Sequence, residues 1–210
     1  MVGLALGTAS VAEAAALQGS FQIGGNDSTI SLSNTGIEFA NAFAPEVTVG
    51  TATGDFVGFQ SAFIEDIIPS NQGSIDNFLD LSANAPGLNG NAGDGLFTFD
   101  VTQSSGLQFS QTIPNLIGIS LTLDGLFEND LGDFSEGQAI LTFQIADAGI
   151  TVAGLQSRLD NGETFDGITF SGAAFTTENI EAVHEPAGVL GLAALIGGYA
   201  VMKHKRSIAA

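Results

Sequence analysis

The chain has 210 residues, 23 acidic side chains against 4 basic ones, a formal net charge of −19 and no cysteine. This balance excludes nucleic acid as a partner, because no basic patch is available to release counterions from phosphates. Without cysteine there are no disulfides, so packing or bound ions must stabilise the fold, and sixteen phenylalanines with one tyrosine and no tryptophan supply the packing.

Length and composition predict one domain of roughly 160 residues between two targeting ends. Residues 1–16 hold a weak apolar run over 2–11, followed by Ala14, Ala15 and Ala16 in the manner of a secretory cleavage site, although the basic n-region is missing. The reading is the remnant of a signal peptide; a short N-terminal helix is the alternative. Of the acidic residues only Glu13 and Glu185 lie outside residues 17–182, where Arg158 is the one base. Such acidity suits solubility outside the cell or cation binding.

The domain, residues 17–180, alternates short β-type runs with turn clusters. Residues 20–23, a turn at 24–27 and the strictly alternating 29–33 form a hairpin signal. Residues 37–39, 46–51 and 54–68 continue the pattern, with Phe56, Phe59 and Phe63 expected in the core. Residues 74–79 read equally as a helical turn capped by Ser74 or as a strand. The longest loop covers 84–95. The clearest strands follow at 96–102, 106–112, 116–126 and 138–146, each apolar on alternate positions. Leu96, Phe97, Phe99, Val101, Phe109, Ile119, Leu121, Leu123, Leu141, Phe143 and Ile145 are expected to face one another or a second sheet across about 10 Å. One helix interrupts the strands: Thr151 can cap it, Val152, Leu155 and Leu159 recur at helical spacing, and Asn161-Gly162 supplies the stop. Residues 167–175 make a final strand. The predicted fold is mainly β, an antiparallel jelly-roll-like β-sandwich with one short helix. No repeat of fixed period occurs, so a solenoid is the less favoured alternative.

The C-terminal part is organised differently. His184, Glu185, Pro186 and Ala187 precede an uncharged apolar run over 187–202, and Lys203, Lys205 and Arg206 follow directly. Sixteen apolar residues lie at the lower edge of what spans a hydrocarbon core of about 30 Å. The basic cluster would hold the C-terminus in the cytoplasm. A buried helix of a soluble domain would show a polar face, and this run has none. Ala193 and Gly197 make a small-xxx-small pair that could pack helices.

Motif, short apolar helix and basic tail in this order, over 183–206, resemble the PEP-CTERM sorting signal of Gram-negative bacteria. The usual opening is Pro-Glu-Pro; here His184 stands in place of the first proline, while Glu185, Pro186 and Ala187 match. The resemblance implies that an exosortase, a membrane-embedded cysteine peptidase, cuts near the motif, with Glu185 and Pro186 as substrate residues. The stretches 19–27 and 168–175 look like those of small exported PEP-CTERM proteins of cyanobacteria, which have no assigned reaction. Exopolysaccharide or biofilm matrix is the partner that the resemblance implies, and the implied path runs through transient inner-membrane anchoring by 187–202 to the cell surface or beyond.

The residues themselves offer little chemistry. Both histidines, His184 and His204, flank the apolar run, so the domain can build neither a histidine-based triad nor a histidine-rich zinc site. No G-x-S-x-G, H-E-x-x-H or P-loop string occurs. Some carboxylate pair in so acidic a chain always fits the spacing for glycoside hydrolysis, which makes that argument weak. The expectation is therefore a non-enzymatic protein with no required cofactor. Calcium is the better site hypothesis, with Asn89, Asn91 and Asp94 as candidate ligands and Asp27 or Asp130 to Asp133 as second choices. The alternative function is accordingly a Ca²⁺-dependent carbohydrate-binding module.

Overall fold

A computed structural model of the chain describes residues 16–25, 28–40, 46–67, 74–85 and 95–177. These residues form twelve strands and one α-helix. In order they are β1 (Ser20–Gly24), β2 (Thr29–Ser33), β3 (Gly36–Ala40), β4 (Glu46–Gly50), β5 (Ser61–Ile64), β6 (Ile75–Ser82), β7 (Phe97–Ser104), β8 (Gln108–Ile113), β9 (Leu116–Asn129), β10 (Phe134–Ala146), α1 (Val152–Asp160), β11 (Phe165–Ile168) and β12 (Phe170–Thr176).

Eight strands close into an antiparallel barrel in the order β10-β12-β1-β4-β5-β6-β7-β9, with β9 returning to β10. The seam is the β9–β10 pair, in register from Leu116 opposite Ala146 to Glu128 opposite Phe134. The other edge of β9 is shared: β7 takes residues Leu123 to Asn129, and β8 takes Leu116 to Ser120. The chain changes partner between them at Gly106, whose φ of +71° suits glycine, and Ser105 stitches the step by accepting and donating across to Thr122. A second, three-stranded sheet, β11-β2-β3, lies outside the barrel ladder and joins it through the bridge between Ile37 and Ile67.

Alternation decides what faces inward. On β9, Ile117, Ile119, Leu121, Leu123 and Phe127 are buried while Asp124 and Glu128 are exposed, and on β10 Leu141, Phe143 and Ile145 are buried opposite exposed Glu136 and Gln144. The interior is packed with side chains rather than open. Phe127 meets Phe99 at 4.6 Å, Phe56 at 4.9 Å and Phe21 at 6.1 Å between ring centroids. This is the reverse of a membrane-spanning barrel, whose outer band is apolar. Among the described residues no helix is long and apolar enough to cross a membrane; the expected membrane-seeking run at 187–202 lies outside them.

Up-and-down connectivity sorts the connections between two barrel ends. One end holds the start of β1, the end of β12, the link 51–60, the end of β6, the start of β7 and the turn 130–133. The other holds the three-stranded sheet, α1 and the β8–β9 hairpin. Phe56, in a 3₁₀ turn over Gly54–Phe56, is fully buried at the first end, where its ring reaches Phe21 and Phe97. Buried hydroxyls seal the strand ends by donating to carbonyls, Ser135 to Leu17 and Ser61 to Asn84, both at 2.8 Å.

Several expectations hold. Helix α1 begins at Thr151, whose Oγ1 accepts from the Gly154 N–H at 3.1 Å, and is followed by Gly162 at φ +84°. The expected core residues are buried apart from Leu96, which is 49% exposed, and Phe59, Phe63 and Phe109, which are partly buried. Others are corrected. The β-sandwich is replaced by one sheet that closes on itself, because β1 pairs with β12 and β9 with β10. The expected hairpin of 20–23 and 29–33 is absent, since β1 joins β12 and β4 while β2 pairs with β3 and β11. The run 167–175 is two strands in two sheets, and 74–79 is strand. Phe63 lies on the outer side of β5, with Ala62 and Ile64 in the core, so the alternation there is one residue out of step with the expectation.

Replacing Phe127 by alanine removes the ring that joins three others and is expected to destabilise the barrel by about 3–5 kcal/mol in denaturant unfolding. Gly137→Ala should also destabilise, by about 1–3 kcal/mol, because the added methyl would strike the Phe127 ring and stand 3.0 Å from the Phe175 carbonyl oxygen. Combining Gly137→Ala with Phe127→Leu should recover part of that loss; strict additivity would show that the two positions do not share one space.

Candidate functional site

The first-choice calcium ligands Asn89, Asn91 and Asp94 lie outside the described residues, as do Asp27, the motif residues His184, Glu185, Pro186 and Ala187, and the basic residues Lys203, Lys205 and Arg206. The second-choice group at 130–133 is described, and it forms the β9–β10 turn. Asn129 Nδ2 donates to Asp133 Oδ2 at 3.2 Å, while Asn129 Oδ1 accepts from the N–H groups of Leu131 at 3.0 Å and Asp133 at 2.9 Å. Gly132, at φ +80°, lets the chain reverse. Among the described residues no group of three or more histidine or carboxylate side chains is placed to hold a metal ion.

Beside this turn an acidic hollow of about 370 Å³ is lined by Asn77, Thr98, Asp100, Glu128 and Asp130, among others. Two carboxylates at or next to it, Asp100 on its wall and Asp80 behind Gly95, have local structural duties. Asp100 Oδ1 accepts from the Asn77 N–H at 2.6 Å and holds Asn77 at φ +54°, within the irregular register between β6 and β7. Asp80, buried at 7% exposure, accepts through Oδ2 from the Gly95 N–H at 2.8 Å and ties the entry of β7 to β6.

Arg158 gathers the strongest electrostatics. On the last turn of α1 it donates from Nη1 to Asp147 Oδ2 at 2.6 Å, from Nε to Glu163 Oε2 at 2.8 Å, and from Nη2 to Glu163 Oε1. Its guanidinium carbon also stands 4.5 Å from the centroid of the Phe165 ring. The Arg158 hydrogen bonds hold both the Asp147 and the Glu163 carboxyls below their ordinary values, and the two carboxylates push the guanidinium up. The arrangement is a clamp rather than a reactive centre, since each of the three charged groups already has an opposite partner. It fastens the end of β10, α1 and the approach to β11.

A larger, open groove of about 560 Å³ crosses the outer face of β8, β9, β10 and β12. Cross-strand register places its residues in two rows. Ser110 stands opposite Gly118, which stands opposite Gln144; Ser120 stands opposite Thr142, which stands opposite Ser171. The rows are two residues apart, about 7 Å along the strands. Thr142 Oγ1 lies 3.1 Å from Ser171 Oγ and donates to the Ser171 carbonyl at 3.2 Å, and Ser110 Oγ donates to the Gly118 carbonyl at 3.3 Å. Among the described residues, none that lines the groove is charged. The available signal was serine and threonine on the polar phase of those strands, but it became a site only once register brought four strands side by side.

No protein-family model, curated protein or solved structure matches this chain.

Arg158→Ala is expected to lower the melting temperature at neutral pH. Because the partner carboxyls are depressed in the folded state, their contribution is present at neutral pH and is lost as pH falls through the acid range. The gap between wild type and Arg158→Ala should therefore narrow below about pH 4, where Asp147 and Glu163 take up protons. Melting curves from pH 3 to pH 7 check this, and a gap that does not change with pH would assign the effect to lost packing on Phe165.

Proposed function

We propose that the chain is a non-enzymatic exported surface or matrix protein, delivered by a C-terminal sorting signal of the PEP-CTERM kind and processed by an exosortase. The observation that supports it best is that the described fold is complete before the tail begins. The last barrel strand ends at Thr176, and the Thr177 N–H still bonds to the Glu136 carbonyl at 2.9 Å, whereas the motif starts at His184. Cutting near Glu185 would thus remove no described strand pairing. Among the described residues the inward side chains pack against one another, which favours recognition on the outer surface. In this reading the run 187–202 holds the protein briefly at the membrane, and Lys203, Lys205 and Arg206 keep its end on the cytoplasmic side.

Intact mass of the protein recovered from membrane, surface and medium fractions tests the proposal. Loss of the chain beyond the region of Glu185 in the surface or medium fraction is the expected result, and Glu185→Ala with Pro186→Ala should leave the full-length species in the membrane. A mass that retains Arg206 in the final location would overturn it.

A further inference from the structure

We infer that the groove across β8, β9, β10 and β12 is a binding site for a neutral, polyhydroxylated chain, that is, an uncharged glycan segment. The first argument is charge. The chain carries 23 acidic side chains, yet among the described residues none lines this groove. A ligand with its own negative charges would meet no cation there and would be repelled by the surrounding surface, whereas a neutral one meets neither penalty.

The second argument is the donor and acceptor set. Ser110, Ser120, Thr142 and Ser171 present hydroxyls, and Gln144 adds an amide; each hydroxyl can donate and accept, which matches the dual capacity of sugar hydroxyls. Some of these groups are fixed and some are open. Thr142, Ser171 and Ser110 are held by hydrogen bonds within the sheet, which pre-orders the floor. The side chains of Ser120 and Gln144 make no hydrogen bond among the described residues and can turn to a ligand.

Shape supplies the third argument. A volume of about 560 Å³ lies within the range of about 300–1,000 Å³ for small-molecule sites, and an open channel over four strands admits a chain rather than enclosing an isolated molecule. Gly118 makes the depression, between Ser110 and Gln144. A Cβ there would come within 3.0 Å of Ser110 Oγ, so any side chain narrows the channel. Gly118 is not among the glycines at positive φ, so a larger residue would meet a steric problem in the groove and no backbone one.

The inference supplies a ligand class for the surface-protein reading but stands on different residues. Calorimetry on the full-length chain, in a zwitterionic detergent without a sugar headgroup, would use cellohexaose, laminarihexaose and maltohexaose as neutral probes and hexagalacturonate as the anionic one. At least one neutral hexaose should bind saturably, at least about tenfold more tightly than the anionic chain, and chelation of divalent ions should leave its affinity unchanged. Gly118→Val and Thr142→Val should each weaken that binding about tenfold or more. Should either fail to fold, Ser120→Ala and Gln144→Ala, which break no described hydrogen bond, carry the test, and together they should weaken binding about tenfold. Failure of all three neutral hexaoses to bind at millimolar concentration, equal binding of hexagalacturonate, dependence on divalent ions, or wild-type affinity in the folded variants would each overturn the inference. None of these outcomes changes the intact mass, so the sorting proposal stands or falls separately.

Discussion

The barrel depends on one steric fit: two packed rings lie over a pair of glycines, Phe99 over Gly125 and Phe127 over Gly137. Gly125 and Gly137 face each other across the β9–β10 seam, and a side chain on either would enter space held by Phe99 or Phe127. The absence of two side chains there lets the aromatic rings of β7 and β9 settle against the sheet wall, and Phe56 and Phe21 then close over them. A disulfide-free domain has to obtain its stability from this sort of contact, because aromatic burial contributes more per residue than any exposed ion pair.

Electrostatics are arranged around that core rather than within it. Carboxylates such as Asp80 and Asp100 bond backbone N–H groups at the β6–β7 irregularity, and the Asn129–Asp133 pair shapes the turn at the seam. Arg158 is the one cation in residues 17–182, and it stands where β10, α1 and β11 must be joined. Each of these charged devices sits at a connection or at a break in a ladder. A strand ladder satisfies its own backbone, whereas connections leave N–H groups that side chains must answer.

An even number of strands in the closed ladder also brings its two chain ends to one side. Entry at β1 and exit at β12 fall at the same end of the barrel, while the hydroxyl-lined groove lies toward the other end, beside the β8 hairpin.

By itself the sequence determined the strand-rich class, the short helix with its cap at Thr151, most of the buried residues and the charge, because these rest on local period and composition. The apolar phase of β9 and β10 was legible for the same reason, since Ile119, Leu121, Leu141 and Phe143 alternate without interruption. It did not determine closure: alternation says which side chains turn inward but is identical for two facing sheets and for one sheet rolled on itself, and only the pairing of β1 with β12 tells them apart. Phe63 was misread because one step of phase in a four-residue strand is settled by its cross-strand pairing, which sets Ala62 between Val47 and Leu81 and Phe63 between Glu46 and Asp80. The groove belongs wholly to the tertiary structure: Ser110, Gly118, Thr142 and Ser171 are ordinary polar positions on four separate strands, and only interstrand register sets them side by side.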